Sequence, residues 1–243
     1  MSSQFEEKLS EMNIVLTQKQ REQFSKYYEM LVEWNKVMNL TGITEYEEVY
    51  EKHFLDSISI VKIIPISNLM DKSKKIRIID IGTGAGFPGI PLKIVFPELE
   101  IVLLDSLNKR IKFLNAIIKN LGLEKIVSIH GRAEDFAKLL EYREQFDYCV
   151  SRAVANLATL SEYCIPYIKI GGSFIPYKSG EIDEELEQSQ KAIQILGGEI
   201  ECVEKFQLPG SGMGRSFVNI KKVEHTADKY PRKAGKPEKS PLS

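Results

Sequence analysis

The pattern of hydrophobic and polar positions divides the chain into two parts that predict different structures. In the first part, apolar residues recur at three- and four-residue spacing, which is typical of amphipathic helices. Thr17 and Gln20 form a capping-box pattern at the start of one predicted helix. No segment before Pro65 favours a strand. The pattern therefore predicts an N-terminal helical cap over residues 1–70.

From residue 71 onward, short apolar runs alternate with stretches of helical periodicity. The clearest helical stretch, residues 107–122, ends at Gly122. A short glycine-rich connection joins the last two runs and predicts an antiparallel hairpin. This order predicts an α/β domain over residues 71–225 with a doubly wound, mainly parallel sheet. The predicted strands are 76–81, 100–105, 125–130, 146–151, 172–178, 199–208 and 216–223.

Composition changes this picture mainly by exclusion. Hydrophobic residues make up 43% of the chain and charged residues 28%, which is usual for a globular protein. No run approaches the ~18–20 apolar residues of a membrane-spanning helix, and the first residues lack the pattern of a secretory signal. The three cysteines form no CxxC pair, which favours reduced, buried thiols over metal ligands or disulfides. We therefore expect a cytoplasmic protein with no membrane segment and no metal site.

Charge is unevenly distributed, although the formal net charge is only −1. From Lys221 to the end, seven Lys and Arg residues stand against three acids, so this segment carries +4 and the preceding chain −5. A basic tail over residues 226–243 is typical of a phosphate-binding arm, but also of a solubilising terminus, and charge alone leaves both open. Because its prolines disfavour a helix, we expect the tail to be an extended arm.

The strongest chemical signal follows the first predicted strand. That strand ends in Asp80, and Gly82, Gly84 and Gly86 come directly after it. Glycines allow a tight turn and a close approach of a ligand to the carboxyl end of the strand, where open α/β sheets bind their ligands. The next strand ends in Asp105, 19 positions after Gly86. A carboxylate at that point is placed to accept hydrogen bonds from both ribose hydroxyls of an adenosine.

A nicotinamide dinucleotide is the competing ligand for this loop. The dinucleotide motif G-x-G-x-x-G requires a glycine where Phe87 stands, and Asp80 would repel a phosphate held at the helix that follows. A carboxylate there suits a cationic ammonium or sulfonium group, and adenosine with such a group describes S-adenosylmethionine (SAM). A glycine turn without any ligand is disfavoured, because strand, turn, helix and second acid all agree.

The motifs and their order resemble the class I SAM-dependent methyltransferases and, more narrowly, the RsmG (GidB) family of bacterial 16S rRNA guanine-N7 methyltransferases. The resemblance implies a Rossmann-like, mainly parallel seven-stranded sheet with an N-terminal helical extension. It also implies methylation of N7 of the guanosine at position 527 of the small-subunit rRNA. The matching segments are WNKVMNLT (34–41), HFLDS (53–57), DIGTGAGFPGIPL (80–92), LLDSLNKRIKFL (103–114), GRAED (131–135), SRAVA (151–155) and YPRKAGKPEKSPL (230–242).

The resemblance and the loop together predict the residues of the site. Guanine N7 has a lone pair and no proton, so methyl transfer needs positioning and no general base, and we name no catalytic residue. For Glu134, ligand contact and helix capping both remain open. The predicted cofactor-binding residues are Asp80, Gly82, Gly84, Phe87, Asp105, Ala133, Glu134 and Arg152. The basic residues predicted to contact RNA are Lys178, Arg215, Arg232, Lys233 and Lys236.

Two other functions remain as alternatives. A SAM-dependent methyltransferase could act on another RNA, a small molecule or a protein, since the glycine loop serves any of these. A nucleotide- or RNA-binding protein could keep the fold without catalysis. The basic tail together with the WNKVMNLT segment disfavours a small-molecule substrate, and the intact glycine loop with both acids disfavours a non-catalytic module. We expect a monomer that acts on 16S rRNA, either as naked RNA or within the 30S subunit.

Overall fold

Helices fill the N-terminal region of the computed structural model, which describes residues 3–71, 73–153 and 155–242. The capping box predicted at Thr17 is confirmed, because its hydroxyl accepts a hydrogen bond from the N–H of Gln20 and its own N–H donates to the Gln20 side chain. Residues 1, 2, 72, 154 and 243 of the predicted segments lie outside the described residues. The helices are α1 (Ser3–Glu11), α2 (Gln18–Met38), α3 (Tyr46–Val49), α4 (Asp56–Ile58) and α5 (Ile66–Leu69).

A π-helical turn, Tyr50–Leu55, joins α3 to α4. The sequence pattern did not predict this turn, and such turns are rare and concentrate at functional sites. Its aromatic side chains are buried: the rings of Tyr50 and Phe5 lie 5.0 Å apart, and those of Phe54 and Phe24 lie 5.1 Å apart. These contacts fix the turn against α1 and α2. A 3₁₀ turn, Ser59–Lys62, follows α4.

Seven strands form one sheet in the order β3-β2-β1-β4-β5-β7-β6, which confirms the predicted doubly wound architecture. Strands β1 to β5 pair in parallel, whereas β7 is antiparallel to both β5 and β6, as the predicted hairpin requires. The main difference is that β5 begins at Ile168, before the predicted start at residue 172. The strands are β1 (Arg77–Ile81), β2 (Glu100–Asp105), β3 (Ile126–His130), β4 (Phe146–Ser151), β5 (Ile168–Ser179), β6 (Gly198–Gln207) and β7 (Gly214–Lys222).

Helices cover both faces of the sheet because side chains alternate along each strand. Ile78 joins one apolar core together with the N-terminal helices, α6 and α7, whereas its neighbour Ile79 joins a second core with α9 and α10. None of the helices in the described residues is long and apolar enough to cross a membrane. The remaining helices are α6 (Gly89–Val95), α7 (Asn108–Asn120), α8 (Ala133–Phe136), α9 (Leu157–Cys164), α10 (Asp183–Ile195) and α11 (Lys236–Lys239), with a 3₁₀ turn, Ile165–Tyr167, after α9.

The C-terminal tail corrects the expectation of an extended arm. Within residues 226–242, Tyr230, Pro231 and Pro237 are buried, and the backbone oxygen of Pro237 accepts a hydrogen bond from Thr159 in α9. The expectation failed because proline is disfavoured only in the interior of a helix. Pro237 occupies the first turn of α11, where proline is tolerated. The apolar side chains of the tail therefore dock on the second core.

The cysteines correct a smaller expectation. Cys149 and Cys164 are buried as predicted, but Cys202 is exposed. Its strand, β6, lies at the edge of the sheet, and several of its side chains face solvent. Composition does not distinguish a thiol on an edge strand from one in the core, so it predicted burial for all three cysteines.

Candidate cofactor and substrate site

The glycine loop follows β1 and forms the floor of a crevice at the carboxyl ends of the parallel strands. The N–H of Gly82 donates to the carbonyl of Leu104 at 2.9 Å, which ties the loop to the end of β2. Gly84 has φ +63°, a conformation that favours glycine, and its N–H donates to Asp105 Oδ2 at 2.9 Å. At Gly86, a Cβ atom would lie 2.8 Å from the hydroxyl of Tyr27, so α2 can approach the loop only where a side chain is absent.

Asp105 holds three parts of this crevice together. Its Oδ2 accepts from Gly84 and from Arg110 Nη1 at 3.1 Å, and its Oδ1 accepts from the N–H of Leu107 at 2.9 Å. The carboxylate is 2% exposed and lines the cavity described below. These contacts fix the orientation of the carboxylate, and the predicted contact to a ribose stays a prediction.

Asp80 lies beneath the loop and is fully buried. Its Oδ2 accepts from Thr83 Oγ1 at 2.6 Å and from the N–H of Gly89 at 2.9 Å. The sequence analysis predicted no role for Gly89. A Cβ atom at this position would lie 2.9 Å from Oδ2 and would push the carboxylate away. Burial raises the pKa of Asp80 to about 7, although Thr83, Gly89 and Arg152 act against it. Asp80 Oδ1 has no hydrogen-bond partner among the described residues, so this acid has unused capacity for a cationic group.

A cavity of about 200 Å³ opens at the ends of β1, β2 and β4. Four of the eight residues predicted to bind the cofactor line this cavity: Gly82, Asp105, Ala133 and Glu134. Asp80, Gly84, Phe87 and Arg152 are not part of its lining. A larger cavity of about 490 Å³ lies between α10 and β6, but none of the predicted site residues lines it. The smaller cavity is therefore the candidate ligand site, since it lies against the glycine loop and two buried acids.

Arg152 and Phe87 lie together beside this cavity, against the N-terminal region. The Arg152 guanidinium lies 4.9 Å from the centre of the Phe87 ring and donates to Asp56 Oδ2 at 3.0 Å. Asp56 is 2% exposed, and its Oδ1 accepts from Arg215 Nε at 2.7 Å. Two guanidinium groups thus share one buried carboxylate, which leaves an excess of one positive charge. The sequence pattern did not predict this pairing; the signals were that Asp56 belongs to the HFLDS segment and lies three positions after His53, on the same face of a predicted helix.

His53 completes this charged group as a neutral side chain. Burial lowers the pKa of His53 to about 3, and the charge of Arg152 acts in the same direction. Because Arg152 Nη2 donates to Nδ1 at 3.1 Å, the proton of the neutral ring belongs on Nε2, which contacts Thr41 Oγ1 at 2.8 Å. The ring stacks on Phe87 at 4.5 Å between ring centres. His53 is therefore built to hold Arg152 and Phe87 in place and not to exchange protons near neutral pH.

The five basic residues predicted to contact RNA occupy two different environments. Lys178 donates to Glu185 at 2.6 Å, Arg215 binds Asp56, and Arg232 binds Glu162 with its Nη2 at 2.6 Å from Oε2. These three are engaged in ion pairs. Lys233 and Lys236 are exposed on the docked tail. Their prediction as RNA contacts is untested.

The fold is that of a class I SAM-dependent methyltransferase. It is defined by the strand order, with the antiparallel β7 inserted between β5 and β6, by the glycine loop after β1 and by the acid at the end of β2. Two solved structures share this fold. M. jannaschii TYW2 in complex with AdoMet aligns with TM-score 0.52 and 13% identity over 69% of this chain and 77% of that one. The YcgJ protein from Bacillus subtilis aligns with TM-score 0.51 and 13% identity over 71% of this chain and 100% of that one.

Sequence comparison identifies the family within this class. The profile of the GidB family, described as rRNA small subunit methyltransferase G, matches residues 20–212. The "Ribosomal RNA small subunit methyltransferase G" of Lachnoclostridium phytofermentans is 52% identical over 241 residues, 99% of this chain and 97% of that protein. The protein of the same name from Desulforamulus reducens is 52% identical over 233 residues, 96% of this chain and 95% of that protein. The chain belongs to this family of SAM-dependent methyltransferases, which confirms the resemblance inferred from the sequence.

Proposed function

We propose that the chain transfers the methyl group of SAM to N7 of a guanosine in small-subunit 16S rRNA, at position 527 by family resemblance. The observation that carries this proposal is the crevice itself. A small cavity lies against the glycine loop between Asp105 and Glu134, and the buried Asp80 has one carboxylate oxygen without a partner among the described residues. Membership of the rRNA small subunit methyltransferase G family supplies the substrate class.

The residues of the cavity fit the parts of SAM. Asp105, at the end of β2, would accept hydrogen bonds from the ribose, and Ala133 and Glu134 would contact the adenine. Asp80 does not line the cavity, but it lies beneath the glycine loop and would attract the ammonium group, because one of its buried carboxylate oxygens has no hydrogen-bond partner among the described residues. When bound, SAM supplies a methyl group activated by the positive charge on its sulfur. The chain has to bind it, orient it and exclude water.

The chain needs no general base for this reaction. Guanine N7 carries a lone pair and no proton, and His53, beside Arg152 and Phe87, is neutral because burial lowers its pKa to about 3. We propose that catalysis comes from alignment of N7 with the methyl group, after the guanosine has been extruded from its RNA loop. Arg152 and Arg215, held by Asp56, would place positive charge beside the extruded nucleotide.

The three segments of the chain would divide this work. Residues 1–70 supply Asp56 and His53 on the substrate side, residues 71–225 supply the cofactor cavity, and residues 226–243 supply the exposed Lys233 and Lys236 for the RNA backbone. We propose that the protein acts as a monomer in the cytoplasm, where ribosomal RNA is assembled. Size-exclusion chromatography with light scattering tests the oligomeric state.

Methyl transfer with mapping of the modified base tests the proposal. Tritiated SAM is incubated with 30S particles and, separately, with protein-free 16S rRNA, both from cells that lack the modification. We expect incorporation into one guanosine, at N7, in at least one of the two substrates. Asp105→Ala should lose most of this transfer, whereas Asp135→Ala, which removes an exposed acid that does not line the cavity, should retain it. Incorporation into neither RNA, or at another base, would contradict the proposed substrate.

A further inference from the structure

Residues 230–242 of the tail, here named the C-terminal clasp, contact both short helices that line the candidate cofactor cavity. Helix α8 contributes Ala133 and Glu134 to the lining, and α9 contributes Leu160 and Tyr163. The two helices are separated along the chain by β4 and packed beside each other. A segment that binds both of them can set the width of the cavity between them.

The first contact of the clasp is with Glu134. The N–H of Gly235 donates to Glu134 Oε1 at 3.0 Å, and Glu134 is 4% exposed. Gly235 has φ +78°, a left-handed conformation that directs its N–H toward the carboxylate. A Cβ atom at this position would meet nothing within 4 Å. Replacement by alanine would therefore strain the backbone conformation without creating a steric clash.

The second contact is with Glu162 in α9, which is fully buried. Arg232 surrounds this carboxylate: its Nε lies 2.9 Å from Oε1, its Nη2 lies 2.6 Å from Oε2, and its backbone N–H donates to Oε1 at 2.7 Å. Glu162 lies between the cavity-lining Leu160 and Tyr163 along the helix. A two-pronged ion pair fixes orientation as well as distance, so Arg232 sets the position of α9.

We propose that the C-terminal clasp is a positioning device for the cofactor: Arg232, through Glu162, and Gly235, through Glu134, hold α9 and α8 where they can enclose the adenine half of SAM. Arg232 then serves the cofactor cavity and not the RNA backbone. The outward side of the same segment carries the exposed Lys233 and Lys236. This inference rests on the proposed function only in its identification of the ligand as SAM.

Calorimetric titration of the full-length protein with SAM and with S-adenosylhomocysteine tests this role without RNA. We expect Arg232→Met to weaken both affinities about tenfold and Gly235→Ala about fivefold, effects of the size usual for coupling between two sites. Lys239→Ala, which removes the same charge from an exposed side chain, should leave both affinities within about twofold of the parent. Arg232→Lys keeps the charge but loses the fork, so it should recover only part of the affinity.

Steady-state kinetics separates positioning from simple loss of folded protein. A positioning role predicts that Arg232→Met raises KM for SAM with little change in kcat, whereas partial unfolding would lower the apparent kcat and leave KM unchanged. The double variant Arg232→Met/Glu162→Gln guards against the effect of leaving Glu162 buried as an unpaired charge. A folded Arg232→Met protein with parental KM and affinity would overturn the clasp. A parent protein that binds no SAM would overturn the proposed function instead.

Discussion

The N-terminal helical region and the C-terminal clasp belong to opposite faces of the sheet and reach the same crevice by different kinds of contact. The N-terminal region joins the first core through stacked aromatic rings, such as Tyr27 against Phe54 at 5.2 Å and against Phe87 at 5.4 Å. The clasp joins the second core mainly through polar contacts to Glu134 and Glu162, with Tyr230 and Leu242 as its apolar anchors.

The two kinds of contact are expected to have different effects: those of the N-terminal region stabilise the fold, and those of the clasp adjust the cofactor cavity. The aromatic side chains of the N-terminal region are buried in the first core, so this region is expected to unfold only with the domain. The clasp has few apolar anchors, so it can loosen locally while the sheet stays intact. In the proposed function the two regions also serve opposite sides of the crevice, with Asp56 and His53 on the side of the substrate and the clasp on the side of the cofactor.

The largest expected effect tests this division of stability. Phe54→Ala removes a fully buried ring from the first core and should lower the free energy of unfolding by about 3–5 kcal/mol. Leu242→Ala, in the half-buried end of the clasp, should cost only about 1 kcal/mol. Urea unfolding followed by the fluorescence of Trp34, which packs on Phe113, measures both. Equal losses would mean that the clasp is as integral to the fold as the N-terminal region.

The next effect concerns the substrate side. Asp56→Asn leaves Arg152 and Arg215 without their shared carboxylate charge, so both guanidinium groups lose their orientation. We expect kcat/KM for RNA to fall about 100-fold while the affinity for SAM stays within about twofold. Calorimetry and methyl-transfer kinetics measure the two quantities, and Asp183→Asn, an exposed acid far along the chain, is the matched control. Loss of SAM affinity would show that the N-terminal region also serves the cofactor.

A smaller effect is expected from pH on the cofactor side. Asp80 has a pKa of about 7 in the folded protein, so it is protonated at lower pH, and a cationic ligand binds its carboxylate form better. Affinity for SAM should therefore rise about tenfold between about pH 5.5 and about pH 7. Asp80→Asn should abolish this dependence. His53 should add nothing to it, since a pKa of about 3 keeps the ring neutral over the whole range. Calorimetric titrations with SAM across this pH range measure the dependence, and an affinity that does not change with pH would contradict this role of Asp80.

The smallest effect concerns the outward side of the clasp. The double variant Lys233→Ala/Lys236→Ala should reduce the slope of log RNA affinity against log salt concentration by about 0.7–0.9 for each lysine that contacts a phosphate. SAM affinity should not change, because both side chains are exposed and the contacts to Glu162 and Glu134 are made by Arg232 and Gly235. Filter binding at several salt concentrations, with Lys239→Ala as the comparison, gives the slopes. An unchanged slope would remove these lysines from the RNA contact surface.

The sequence predicted those features of the fold that are determined by residues close together in the chain. The capping box at Thr17, the seven strands and the glycine loop all depend on neighbours within a few positions. Asp105 was predicted at the crevice because the carboxyl ends of parallel strands meet at one edge of a sheet. In the structure Asp105 lines the cavity, and its predicted contact to a ribose stays a prediction.

The contacts that decide side-chain roles could not be predicted in the same way. Asp56 and Arg215 are 159 positions apart, and Gly235 and Glu134 are 101 positions apart, so no periodicity relates them. The π-helical turn depends on packing of Tyr50 and Phe54 that only the tertiary structure supplies. For the same reason Arg232 looked like a free cation in the sequence, although it is paired with a buried acid in the fold.

The ion pair between Asp56 and Arg215 also has a kinetic consequence. It joins the first quarter of the chain to β7, so its formation closes a long loop and is expected to come late in folding. Contacts of this kind are expected to be absent from the folding transition state, and their loss then speeds unfolding with little effect on the folding rate. Arg215 would thus act as a latch: the chain folds without it, and the crevice stays assembled for longer because of it.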